Sequence, residues 1–252
     1  MKKDNSDLKL YGTPLSQPVR AVIWVLLHKK KLFDLILMNP GSKGPIGTRN
    51  PAFLCKNPNG TIPFLEDKTN GVSMAEASAI LIYLCRKHKW EDLYPNDPIK
   101  CSKIDWYLHS HHRGIRDAAL GYFAPNVRKD LAFPEVLLKT AKKSFTRSLE
   151  TLEQYWLAND QFIAGEYLSV ADFMAYSEIG QLKPEFTNLF DFESFPNIKR
   201  WMNDMTTLNS HNDAHLCLTM LGDISTKEPE IETIANANKT GYKTIIERQL
   251  SF

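Results

Sequence analysis

The sequence predicts two units of different class, an α/β domain followed by an all-helical bundle. Three observations carry that reading. Strand and helix signals alternate through the first third of the 252 residues. A polar connector with two prolines, Lys89-Trp-Glu-Asp-Leu-Tyr-Pro-Asn-Asp-Pro98, then interrupts the pattern. Beyond it the apolar residues recur at helical spacing. The expected division is residues 1–88 for the α/β domain, 89–98 for the linker, 99–222 for the helical domain and 223–252 for a polar C-terminal tail without an assigned element.

Taken in order, Leu8–Tyr11 reads as a strand and Pro18–Lys29 as a helix. Phe33–Met38 is a second strand, which a right-handed crossover would place parallel to the first. A Gly/Pro-rich loop spans Asn39–Pro51. Thr61–Glu66 and Val72–Met74 flank the turn residues Asp67–Gly71 and predict an antiparallel hairpin. Glu76–Lys87 returns to helical period, with Ile80, Leu81 and Leu84 on one face. The order β-α-β-loop-β-β-α matches a thioredoxin-like domain. In the second unit, Ile99–Phe123 predicts one long amphipathic helix. Pro134–Leu157 repeats apolar residues at Leu138, Ala141, Phe145, Leu149, Leu152 and Trp156. Ser169–Leu182 opens on Ser169-Val-Ala-Asp172, the Ser-x-x-acid form of a capping box, and Asn197–Leu208 and Asn212–Leu221 complete the set.

Composition narrows the function classes. Lys and Arg number 31 against 29 Asp and Glu, a net charge of +2, so nothing in the charge balance points to nucleic acid or a membrane surface. The start of the chain is polar and lacks an apolar core of signal-peptide length, and the longest apolar run, Ala21–Leu27, is too short to span a bilayer. Cys55, Cys85, Cys101 and Cys217 form no C-x-x-C pair, which fits free thiols in a reducing cytoplasm. The cluster His109-Ser-His-His112 puts only His109 and His112 on one helical face, and without further placed ligands no metal site is expected.

The stretch Leu8–Val22 carries the most chemistry. A strand runs into a turn with a hydroxyl, Ser16, and a proline, Pro18, fits the first turn of the helix that follows. A helix N-terminus offers unpaired amides and a positive dipole end, so an anion held by Ser16 is one reading. An ordinary N-cap serine fits the turn alone equally well. Tyr11, inside the strand pattern, reads as a packed tyrosine.

Four blocks in this order and spacing resemble the cytosolic glutathione transferases, closest to the theta class, across residues 8–222. They are Leu15-Ser-Gln-Pro-Val-Arg-Ala-Val22, Asn57-Pro-Asn-Gly-Thr-Ile-Pro-Phe-Leu65, Met74-Ala-Glu-Ala-Ser-Ala-Ile-Leu-Ile-Tyr-Leu84 and Phe162-Ile-Ala-Gly-Glu-Tyr-Leu-Ser-Val-Ala-Asp172. The resemblance implies an enzyme that attacks electrophilic small molecules with the glutathione thiolate, glutathione being a co-substrate and no further cofactor being needed. It also implies a cytoplasmic, detoxifying homodimer. A non-catalytic transferase-like module for dimerisation or ligand binding is the alternative.

The resemblance assigns Ser16 as the hydrogen-bond donor to the thiolate. A free thiol titrates near pH ~8.5, and lowering that by ~2 units takes about 2.7 kcal/mol of preference for the anion. One charge-assisted bond supplies most of it. It further implies a cis peptide at Pro63, pairing of the Ile62 backbone with the cysteinyl unit, and Glu76 on the γ-glutamyl ammonium. Ala77 stands where the family carries serine or threonine, leaving only a backbone N–H for the γ-glutamyl carboxylate. Gln17 and Arg49 match glutathione contacts, and Asp105 matches an acid that reaches across a dimer interface. His112, Arg116, Tyr122 and Phe123 are expected to line the cleft for the electrophile. Ser169 and Asp172 are structural by the same resemblance.

Overall fold

The computed structural model describes residues 6–252. Its sheet has four strands, β1 (Leu8–Gly12), β2 (Asp34–Leu37), β3 (Phe64–Asp67) and β4 (Val72–Ala75), in the order β2-β1-β3-β4. β1 is parallel to β2, β3 is antiparallel to both β1 and β4, and Leu10 pairs with Leu35 on one side and Leu65 on the other. This is the thioredoxin-like arrangement expected. β3 begins at Phe64, three residues later than the strand pattern suggests, because Ile62–Pro63 is a cis bond that turns the chain before the ladder starts.

α1 (Gln17–His28) is the hinge of the packing. Every residue from Val19 to Leu27 is buried, since one side faces the sheet and α3 (Ala77–His88) while the other meets the helical unit. A helix covered on all sides needs no amphipathic stripe. Its main partner is α7 (Val170–Ile179), also buried throughout. Trp24 packs edge-on against Phe173 and Tyr176 of α7, and its indole N–H donates to the Asn209 carbonyl at 3.1 Å. α7 starts as expected. The Asp172 carboxylate accepts from the Ser169 N–H, the Ser169 hydroxyl, the Ile163 N–H and the Trp201 indole, each at 2.9 Å. Asp172 therefore ties three separate segments together at a site with no solvent access.

The remaining helices are α2 (Pro51–Leu54), α4 (Pro98–His111), α5 (Ala124–Val127), α6 (Glu135–Thr151), α8 (Pro196–Thr206), α9 (His211–Leu221) and α10 (Ile231–Gln249). Three differ from the sequence expectation. The Asn39–Pro51 loop ends in the short α2, capped by Asn50, whose side chain accepts from the Ala52 N–H at 2.9 Å. The single helix expected over Ile99–Phe123 is broken. α4 stops at His111 and the chain resumes as a π-helical turn at Ala119–Phe123 before α5. The break lies at Gly114, where φ is +143° and a Cβ would sit 1.9 Å from the Ser148 hydroxyl of α6, so only glycine permits the approach. Finally, the tail forms α10, which packs along α9. Its buried residues, Ala237, Gly241, Ile245 and Gln249, recur every four positions.

His111 is buried at the end of α4. Its Nδ1 lies 3.5 Å from the Tyr107 hydroxyl, and its Nε2 has no partner among the described residues. Burial, with the Arg116 and His112 charges adding to it, pushes its pKa down to about 3. The folded state thus holds it neutral, whereas an unfolded chain binds the proton below pH ~6.5. The stability this contributes is present above pH ~6.5 and is lost as pH falls towards the folded value. Between pH 7 and pH 5 the loss from this residue is about 2 kcal/mol. His111→Phe is expected to flatten the acid limb of stability by that amount, measured by denaturant melts at the two pH values.

Candidate active site

Three chain segments emerge side by side at one end of the sheet. Tyr11 of β1 pairs with Phe64 of β3, and Phe64 pairs in turn with Ala75 of β4. Because β3 is antiparallel to both neighbours, the residues just beyond these pairs are Thr13–Ser16 after β1, Ile62–Pro63 before β3 and Glu76–Ala77 after β4. Two twelve-residue helices, α1 and α3, also start there, so two positive dipole ends open at the same place.

Ser16 has an extended backbone (φ −75°, ψ 121°). Its carbonyl accepts the first bond of α1 from the Arg20 N–H at 2.8 Å. Its hydroxyl makes no capping bond. The N-cap position is occupied, but the oxygen that normally does the capping is uncommitted and partly exposed. The turn before it is held from beneath by Arg20, a fully buried guanidinium that donates to the Pro14 and Leu15 carbonyls at 3.1 and 3.2 Å. The Cys217 thiol of α9 also donates to the Pro14 carbonyl, at 3.4 Å.

Opposite the turn, the Ile62–Pro63 peptide is cis. Among the described residues neither the N–H nor the C=O of Ile62 has a hydrogen-bond partner within the protein. Glu76 has φ +69°, outside the ordinary range for a residue with a side chain. That backbone bends sharply into α3 and leaves the carboxylate exposed at the helix start. Glu76 borders a groove of about 830 Å³ between α3 and α4, whose lining includes Ser78, Arg86, Asp105, His109 and His112. The Ser78 hydroxyl is buried there without a partner among the described residues.

Residues 10–92 match the profile of the glutathione S-transferase N-terminal domain, and residues 104–209 match that of its C-terminal domain. Glutathione S-transferase theta-1 of Bos taurus is 30% identical over 201 residues, covering 77% of this chain and 80% of that protein. The chain belongs to the glutathione S-transferase family. It is 29% identical to glutathione S-transferase T2 of Arabidopsis thaliana over 250 residues, 95% of this chain, but spans only 41% of that relative's length. In three dimensions it is similar to the apo form of human glutathione-S-transferase T1-1, with a TM-score of 0.72 at 25% identity, covering 97% of this chain and 98% of that one.

Seen as a glutathione S-transferase, the molecule brings together some of the residues singled out from sequence and separates others. Ser16, Ile62, Pro63, Glu76 and Ala77 share the end of the sheet. Gln17 is buried and both ends of its amide are in use, donating to Gln181 Oε1 at 2.9 Å and accepting from Arg116 at 3.2 Å. Arg116 also pairs with Glu178. Arg49 is exposed and donates to the Asn59 carbonyl at 3.2 Å, holding the loop ahead of the cis bond. Asp105 and His112 lie in the α3–α4 groove with Glu76, and Asp105 accepts from the Tyr94 hydroxyl at 2.8 Å.

Tyr122 and Phe123 do not join them. Tyr122 packs edge-on against Phe145 and Phe190, and Phe123 is 2% exposed in the core. The chain is no longer in α4 at these positions, and the Tyr122 ring packs on Phe145 of α6. Tyr11 is likewise packed, between Phe53 and Phe64, with its hydroxyl donating to Glu66 at 2.7 Å. Among the described residues no three His, Cys, Asp or Glu side chains are grouped to hold a metal ion, and no helix is long and apolar enough to cross a membrane. Arg20 and the α10 residue Asn238 are not predicted from the sequence. An arginine inside the apolar run Val19–Leu27 was the available signal for the first; the second had none.

Proposed function

We propose that the chain is a glutathione transferase of the serine type, in which the Ser16 hydroxyl donates a hydrogen bond to the sulfur anion of glutathione. The observation that carries this reading is the uncommitted Ser16 hydroxyl at the start of α1, on the same sheet end as the unpaired Ile62 backbone and the start of α3. Glutathione is a peptide with a thiol in the middle and carboxylates at its ends. A free extended backbone stretch suits its cysteinyl unit, and two helix N-termini suit two of its anionic groups. The thiolate attacks carbon and the leaving group departs with the bonding pair. On an activated double bond the thiolate adds instead, and a proton reaches the neighbouring carbon.

In this scheme Ile62 pairs with the cysteinyl backbone, Glu76 accepts from the γ-glutamyl ammonium and the Ala77 N–H meets the γ-glutamyl carboxylate. Arg49 lies towards the glycine end. Gln17 acts through Arg116, which its side chain holds, and Arg116 is the cleft residue nearest the Ser16 turn along this hydrogen-bonded chain. The α3–α4 groove, with apolar Met74, Ile82 and Leu108 beside Asp105 and His109, is covered by a second copy of the chain. Four free cysteines fit a reducing cytoplasmic setting for an enzyme that clears electrophiles.

Ser16→Ala is expected to raise the pKa of bound glutathione by ~1–2 units and to lower kcat/KM with an aryl halide by about ten- to a hundredfold. The thiolate absorbance and the pH profile report this, and an unmoved profile rules out the assigned donor. Ala77→Ser restores a hydroxyl at the start of α3 and is expected to tighten glutathione binding by about tenfold in calorimetry. Sedimentation is expected to give the dimer mass. A monomer at all concentrations removes the second copy from the groove.

A further inference from the structure

We infer that Asn238 of α10 is a positioning residue for Ser16, clamping the turn from the side opposite Arg20. Its Oδ1 accepts two bonds at once, from the Thr13 hydroxyl at 2.6 Å and from the Leu15 N–H at 3.1 Å. The Leu15 amide is one residue before the proposed donor. The Asn238 side chain is itself oriented by its own Nδ2, which donates to the Ile234 carbonyl one turn earlier at 3.3 Å. A neighbouring glycine allows this approach. At Gly241 a Cβ would lie 2.8 Å from the Cys217 Cβ and 3.2 Å from the Pro14 Cβ, so α10 settles directly on α9 and on the turn.

Both faces of the Thr13–Leu15 turn are therefore hydrogen-bonded. The carbonyls of Pro14 and Leu15 go to Arg20, and the Thr13 hydroxyl and Leu15 N–H go to Asn238. The Ser16 N–H closes the turn on the Thr13 carbonyl at 3.0 Å, which passes the constraint to the residue that carries the hydroxyl. A donor that must lie within hydrogen-bond reach of a sulfur anion gains from such preorganisation, because it need not reorient when charge forms. This inference rests on the serine-type reading above.

The test compares Asn238→Ala, Asn238→Asp and Thr13→Val with the parent and with Ser16→Ala. Asn238→Ala is expected to raise the pKa of bound glutathione by ~0.5–1 unit and to lower kcat by about three- to tenfold, with the glutathione dissociation constant unchanged only at a pH where the bound thiol is protonated. Asn238→Asp keeps an accepting oxygen and is expected to preserve slow amide exchange at Leu15 and Ser16, while its added negative charge raises the pKa of bound glutathione as it does in any like-charge pair. Thr13→Val is expected to reproduce part of the defect. Amide exchange at Leu15 and Ser16 is expected to quicken in Asn238→Ala while the sheet stays protected, which separates a loosened turn from general unfolding. An unshifted pH profile in Asn238→Ala, with Ser16→Ala shifted, overturns the positioning role and leaves the serine reading intact. An unshifted profile in both overturns both.

Discussion

A charge with no access to water organises this molecule. The Arg20 guanidinium is fully buried, and its two terminal nitrogens bond the Pro14 and Leu15 carbonyls of the turn after β1 and the Ser177 carbonyl and Gln181 side chain at the end of α7. Burial lowers its pKa, yet a guanidinium stays charged in a protein, so its donors need acceptors. The fork is planar and rigid, and the acceptors come from two units of different class. The four acceptors of one side chain, whose Nε has no partner among the described residues, therefore join the turn and α1 to the end of α7 beside the Trp24 contacts.

Around that centre the site is assembled from strand ends. Sheet register fixes the neighbours of Ser16 without any side chain having to choose them, because Tyr11, Phe64 and Ala75 stand in line across three strands. The strained backbone of Glu76 and the cis bond at Pro63 lie at the same end. A positive φ at Glu76, placed where a ligand would sit, is the pattern expected of a binding surface shaped by the fold. Arg116, Gln17, Gln181 and Glu178 extend the polar network from the start of α1 to the end of α7.

Much of this was legible in the chain. Alternation over Leu8–Tyr11 and Phe33–Met38, the turn residues at Asp67–Gly71 and the apolar α1 mark the strands, the parallel first pair and the antiparallel hairpin, because each element has a period and a punctuation of its own. The Ser-x-x-Asp box placed the start of α7, although the reach of Asp172 to Ile163 and Trp201 is long-range and has no local mark. The break in α4 was hidden because helical spacing continues through Gly114, and the conflict with Ser148 exists only once α6 is packed. Tyr122 and Phe123 read alike as cleft or core, since an aromatic ring serves both. α10 has no mark in the sequence because its buried face is built from Ala237, Gly241 and Gln249 as well as Ile245, and small or polar residues leave no hydrophobic stripe.

The distance along the chain between the turn and its outer clamp has a consequence for how the protein is made. Thr13 and Asn238 are separated by 225 positions, so the first domain emerges from the ribosome and pairs its strands long before its brace exists. During synthesis the Arg20 bonds to the Pro14 and Leu15 carbonyls form within one short segment, the Ser177 and Gln181 acceptors arrive with α7, and the outer support comes only with α10. A nascent chain therefore holds the strands of its first domain for some time before the Thr13–Leu15 turn is fully braced, and a chain without Asn238 lacks the acceptor for the Thr13 hydroxyl and the Leu15 N–H.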